Sequence, residues 1–233
     1  MKNIKYTLLL LIFSLANSTS FAQSRFYTEV GGSAGAIAIM GDWLPKSDMT
    51  APVSYSGFEA NFIYNIQMRS SGWGIKTNIG IAHVFNIFNR EGQADNLLQL
   101  RGFTNIVTLG AQLDYELFEF GKYSRSRNTW TPYISGGFNF IYFNNENYND
   151  KIMNSDGSES DYKIIKGGES TPTFKGALGA KFKYTRYTTL FIEFTGQYAF
   201  SDHVDGLTGT GVAKDMISSV NVGITYSFKS KRR

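Results

Sequence analysis

Residues 105–117 read Asn105-Ile106-Val107-Thr108-Leu109-Gly110-Ala111-Gln112-Leu113-Asp114-Tyr115-Glu116-Leu117, and this stretch decides the fold. Val107, Leu109, Ala111, Leu113, Tyr115 and Leu117 fall on one face and Thr108, Gly110, Gln112, Asp114 and Glu116 on the other. Such a period of two is the mark of a strand with one apolar and one polar side. The pattern recurs over residues 58–68, where Phe58, Ala60, Phe62, Tyr64, Ile66 and Met68 oppose Glu59, Asn61, Asn65 and Gln67, with Ile63 the single exception. It recurs again over residues 74–82, 174–184, 190–200 and 216–228. Weaker versions cover residues 26–38, which are rich in glycine, and 132–143, which are rich in aromatics. About eight strands are expected.

The connections between these strands alternate in length. Residues 69–72 and 186–188 are tight turns and 119–130 a longer third. The intervening segments 40–55, 86–102, 145–171 and 201–215 are long and carry Gly, Asn, Asp and Ser. Transmembrane barrels place short turns in the periplasm and long loops outside, and they close because lipid cannot satisfy the backbone groups of an open sheet edge. A soluble sandwich would alternate too, but it would bury the apolar face and leave the polar one in water. Together these features predict an all-β fold, an eight-stranded antiparallel transmembrane β-barrel in the outer membrane, with both ends of the barrel chain on the short-turn side.

The N-terminus agrees with export. Lys2 and Lys5 precede the apolar run Thr7–Ala16, and Ser20-Phe21-Ala22 offers small residues at the −3 and −1 positions of a cleavage site. The run is too short for a membrane-spanning helix, which needs about 20 apolar residues. The expected organisation is therefore a signal peptide over residues 1–22, a barrel over 23–228 and a basic periplasmic tail over 229–233.

Composition narrows the partners. Without Lys2 and Lys5 the 23 Lys+Arg become 21 against 19 Asp+Glu, a net charge of +2, which gives no support to a nucleic-acid partner. Cysteine is absent, which excludes disulfides and thiolate chemistry. Aromatics make up 15% of the chain with 24 Gly and only 4 Pro, suiting strands whose outer faces meet outer-membrane lipid.

Two groups of charged residues stand out. Glu29, Arg69, Lys76, Asp114, Glu116, Lys181, Lys183 and Glu193 fall on the polar faces of their strands toward the short-turn end, so they are expected to pair inside the lumen and close it, against the simpler reading of a wetted polar core. Lys122, Arg125, Arg127, Arg186, Lys229, Lys231, Arg232 and Arg233 gather on the turns and tail, making the periplasmic end basic against acidic outer loops and steering an acidic protein surface toward it, against the simpler readings that basic turns bind anionic inner-leaflet lipid or aid translocation and solubility.

Catalysis is not expected. The chain has two histidines, His83 near a strand end and His203 in the last long loop, and neither has a sequence neighbourhood that assembles a nucleophile, base and orienting group. Asp202, His203 and Asp205 have metal-ligand chemistry, against the simpler reading of a solvated loop held by Asp side-chain turns. No cofactor is expected, since Gly31-Gly32-Ser33-Ala34-Gly35 lacks the ending and context of a phosphate loop.

Finally, Tyr27-Thr28-Glu29-Val30-Gly31-Gly32 with Gly41-Asp42-Trp43, Thr131-Pro132-Tyr133-Ile134-Ser135-Gly136-Gly137-Phe138 and Ser201-Asp202-His203-Val204-Asp205-Gly206 resemble, in order and spacing, segments of the PorG-like outer-membrane barrels. The resemblance spans nearly the whole chain after residue 22, departing at His203 and at the basic tail. It implies a component of the type IX secretion system working beside a periplasmic ring of lipoprotein and soluble subunits. The alternative class is a small surface barrel acting as an adhesin, ligand-binding protein or transporter.

Overall fold

The computed structural model describes residues 26–40, 55–68, 72–89, 99–118, 129–146, 163–164, 167–201, 203–204, 207–208 and 215–228. Eight long strands close into one barrel: β1 (Phe26–Met40), β2 (Tyr55–Met68), β3 (Trp73–Asn89), β4 (Gln99–Glu116), β5 (Trp130–Glu146), β7 (Gly167–Lys183), β8 (Thr188–Ala199) and β10 (Met216–Ser227). Two short strands, β6 (Lys163–Ile164) and β9 (Leu207–Thr208), pair with each other outside the barrel. The ring order is β1, β10, β8, β7, β5, β4, β3, β2, and every pairing is antiparallel. Closure joins the first strand to the last, with Glu29 opposite Ser227 and Met40 opposite Met216. No edge is left for lipid to cover.

The two faces sort as the alternation requires. In β5 the odd positions from Thr131 to Asn145 turn inward, while Ile134, Phe138, Phe140 and Tyr142 are exposed, Phe138 at 65%. Exposed Phe, Ile, Leu and Val side chains ring the barrel on all its strands except the glycine- and alanine-rich β1. In water such a surface would be insoluble; it is stable against hydrocarbon. Aromatic pairs mark its lower border, with Trp73 against Tyr115 at 4.8 Å, Phe118 against Trp130 at 5.8 Å and Tyr187 stacked on Tyr226 at 6.0 Å. These sit at the short-turn end, where rings settle at the lipid headgroup level.

Strand ends depart from the sequence expectation in one direction. β3 runs on to Asn89 and pairs with β4 from Gln99, inside the segment 86–102 expected as loop. The segment 145–171 likewise contains the upper parts of β5 and β7 together with β6, and β9 lies within 201–215. Beyond the bilayer both strand faces meet water, so the apolar alternation that reveals a strand disappears while the hydrogen-bond ladder continues.

Among the described residues Gly72 and Gly167 have positive φ, and Gly72 lies in a tight turn. Gly72 sits at φ 71°, and its carbonyl accepts from Glu116 N at 2.8 Å and Gln67 Nε2 at 2.9 Å, tying the β2–β3 turn to β4. A side chain there must adopt left-handed backbone and approach the Glu116 carbonyl oxygen. Gly72→Val is expected to cost about 1–2 kcal/mol through the left-handed penalty alone, read as a lower urea midpoint for unfolding from lipid.

Candidate functional site

The lumen is the only place where the described charges converge, and cross-strand geometry brings them together. Lys76 on β3 and Glu193 on β8 lie halfway round the ring from each other, and Lys76 Nζ donates to Glu193 Oε2 straight across the interior. Tyr133 on β5 donates its hydroxyl to the same oxygen at 2.7 Å, and Lys175 Nζ lies 3.7 Å from the other. Lys181 Nζ reaches Glu116 Oε1 at 2.7 Å, passing over β5. Between these pairs sits Asp114, fully buried, 3.7 Å from Lys76 Nζ and 3.9 Å from Lys181 Nζ. The Tyr133 ring is flanked by both ammoniums, at 5.4 and 5.0 Å from its centroid. It has room because its cross-strand neighbour is Gly179, where a Cβ would collide with the ring. Buried charges at this density persist only because each is paired or hydrogen-bonded.

Of the residues expected to close the lumen, the structure therefore unites Lys76, Asp114, Glu116, Lys181 and Glu193. Glu29 is buried nearby, but among the described residues it is held by hydrogen bonds from Ser227 Oγ at 3.0 Å and Asn65 Nδ2 at 3.4 Å rather than by a cation. Lys183 is half-buried at the rim, where β7 leaves the lumen. Arg69 lies outside the described residues. Lys175 and Tyr133 are the members that sequence reasoning missed. Lys175 shares the inward parity of Lys181, whereas Tyr133 looks like one more aromatic and only its register betrays it.

Above the ionic layer the interior is lined by amides around the carboxylate of Glu59 and then becomes apolar. Asn139 Nδ2 donates to Gln197 at 2.9 Å and Gln112 Nε2 to Asn78 at 3.1 Å, while Asn221 donates to Glu59. Higher still, Ile37, Ile39, Val84, Ile106, Ile141, Phe143, Ala199 and Ile217 pack together across the mouth. Val204, from the connection between β8 and β10, drops into this layer and is fully buried. Its N–H donates to Asp215 Oδ2 at 2.7 Å, and the neighbouring His203 carbonyl accepts from Asn145 Nδ2 at 3.1 Å. The lumen thus has two closures, ionic toward the short turns and apolar toward the long loops. The apolar layer stands beside the expected ionic pairing, and Val204 of the last long connection is part of it.

The histidines are far apart in role. His83 faces outward among Phe58, Phe85 and Phe103, with Nδ1 2.6 Å from Asn105 Oδ1. His203 Nδ1 lies 3.0 Å from Glu169 Oε2 on the outer side. Asp202 and Asp205 lie outside the described residues, among which no group of three acids or histidines could hold a metal. At the other end Arg186 is exposed in the β7–β8 turn, its guanidinium 5.9 Å from the Tyr187 ring centroid. Lys122, Arg125, Arg127, Lys229, Lys231, Arg232 and Arg233 lie outside the described residues, as do the expected signal peptide and tail.

A closed eight-stranded barrel with a polar, filled interior and a continuous lipid-facing exterior is an outer-membrane β-barrel protein, and its place is the outer membrane. The chain belongs to the family described as a domain of unknown function (DUF6089), which matches residues 5–228. No curated protein matches it. Among solved structures it is similar to Neisserial surface protein A, at 10% identity and a TM-score of 0.52, over 86% of this chain and 97% of that one. It is also similar to a major outer membrane protein from Thermus thermophilus, at 10% identity and a TM-score of 0.47, over 87% and 99%. A third is OprG from Pseudomonas aeruginosa, at 15% identity and a TM-score of 0.45, over 88% and 97%. At these identities the likeness is one of fold.

Proposed function

We propose that the protein is a non-enzymatic outer-membrane component of a PorG-like kind, acting in type IX secretion by contacting a periplasmic assembly of lipoprotein and soluble subunits through its basic short-turn end. The observation that carries this reading is the doubly closed lumen. A barrel whose interior is spanned by Lys76–Glu193 and capped by Val204 offers no passage through that interior, so its work is done on its outer surfaces. The sequence resemblance and the sorting of basic residues to the periplasmic end then choose the surface. A reading as a surface adhesin, ligand-binding protein or transporter draws on a different observation, the β6–β9 pairing that ties two outer connections together.

Charge reversal at Arg125, Arg127, Arg232 and Arg233 separates the two. The variant should fold, insert and reach wild-type abundance, yet secrete poorly and lose co-purifying ring subunits, with the wild-type association weakening as salt rises. Normal secretion at normal abundance would remove the docking model and leave the outer face as the working surface.

A further inference from the structure

The lipid-facing wall is not uniformly filled. On β1 the outward positions shrink to Gly32 and Ala34, next to the seam where first and last strands close the barrel. Here the wall sinks into a slot of about 780 Å³. Its sides are aliphatic and aromatic, including Phe182, Leu190, Val222 and Ile224, all exposed toward lipid. The slot is open along the wall, so an occupant lies against it rather than being enclosed. Because the slot opens inside the hydrocarbon band, its occupant must itself be hydrocarbon.

A second observation lies at the slot's periplasmic edge. Ile224 is followed two residues later, on the same outward face of β10, by Tyr226. Tyr226 stacks on Tyr187 at 6.0 Å, and the Arg186 guanidinium stands against Tyr187. The turn holding them is fixed by Thr185 Oγ1, which accepts from Tyr187 N at 3.2 Å and Thr188 N at 3.0 Å, and by Ser227 N donating to Tyr187 O at 2.7 Å. Arg186 is exposed beside Tyr187, so a cation stands next to the aromatic pair that follows the slot along β10. We propose that the slot and the Arg186–Tyr187–Tyr226 stack together form a site for one anionic phospholipid of the periplasmic leaflet. One acyl chain lies along Gly32 and Ala34, the aromatic pair meets the glycerol region, and the phosphate is bound by Arg186, whose planar donors suit it.

Arg186 belongs to the basic end assigned to docking but is not among the residues reversed in the docking test, so failure of one reading is distinguishable from failure of the other. It is tested on the full barrel in nanodiscs of phosphatidylcholine with a minor fraction of phosphatidylglycerol, counting lipids that stay bound on release by native mass spectrometry. Wild type should retain one phosphatidylglycerol. Arg186→Ala should weaken that preference over phosphatidylcholine about five-fold, the effect of one cation near an anionic surface. Ala34→Phe should abolish retention of either lipid by filling the slot. Gly176→Leu fills open space elsewhere on the wall and should change nothing. Folding of each variant is checked by heat-dependent gel migration. Retention by folded Ala34→Phe equal to wild type, indifference of headgroup choice to Arg186→Ala, or several bound lipids in the bulk ratio would overturn the proposal.

Discussion

Replacing Glu193 by Leu lowers the unfolding free energy by about 3–5 kcal/mol, the cost of breaking a buried ion pair from one side. The substitution strands three groups at once. Lys76 loses its acceptor across the lumen, the Tyr133 hydroxyl loses its hydrogen bond, and Lys175 loses its nearest carboxylate. Asp114, 3.7 Å away, can compensate Lys76 only in part because it also faces Lys181. Lys76→Met in the same chain should recover much of the loss, since removing both charges leaves neither uncompensated. Tyr133→Phe alone should cost about 1.5–3 kcal/mol, the value of one hydrogen bond to a charged group. Reversible urea unfolding from lipid vesicles, followed by tryptophan fluorescence, measures wild type, these three variants and Lys76→Met alone, five proteins in all. If the double replacement cost as much as the sum of the two single ones, the lysine and carboxylate would be independent and the cross-lumen pairing would carry no coupling.

How far the sequence discloses this arrangement depends on what each face touches. Within the bilayer the outward residues must be apolar and the inward ones are polar, so β2, β4 and β10 are legible from alternation alone and their inward charges follow by parity. The apolar layer is harder to see because it breaks that rule at the lumen positions nearest the long loops. Val84 continues the inward parity of Lys76 and Asn78, Ile106 that of Gln112 and Asp114, and Ile141 and Phe143 that of Asn139. Each is an apolar residue in the polar phase, all at the same end of their strands, and that shared position is the one trace of the layer in the sequence. Val204 has no such signal, for it sits in a connection between polar residues and its burial depends on contacts far away in the chain. The partner of the lumen lysine is equally invisible locally, since Lys76 and Glu193 are joined only by ring order.

Two closures in series predict that neither lesion alone makes a pore. In Lys76→Ala/Glu193→Ala the interior widens near the short turns, but Ile39, Phe143 and Val204 still form a dry layer that ions cannot cross without losing their hydration. In Ile39→Ser/Phe143→Ser the mouth becomes wettable, yet Lys76 and Glu193 still span the lumen with Tyr133 and Asp114 beside them. The second pair of substitutions carries the larger folding penalty, since truncating a buried Phe costs about 3–5 kcal/mol and Phe143 is fully buried. Planar-bilayer recordings of protein confirmed as folded should give no steady current for wild type or for either double variant. The quadruple variant should give steady openings, of small size because an eight-stranded barrel has little interior to offer. Sustained conductance from wild type would sink the closed-lumen reading outright. Conductance from Lys76→Ala/Glu193→Ala alone would show that the apolar layer does not seal, because water and ions would then be passing Val204 with Ile39 and Phe143 still in place.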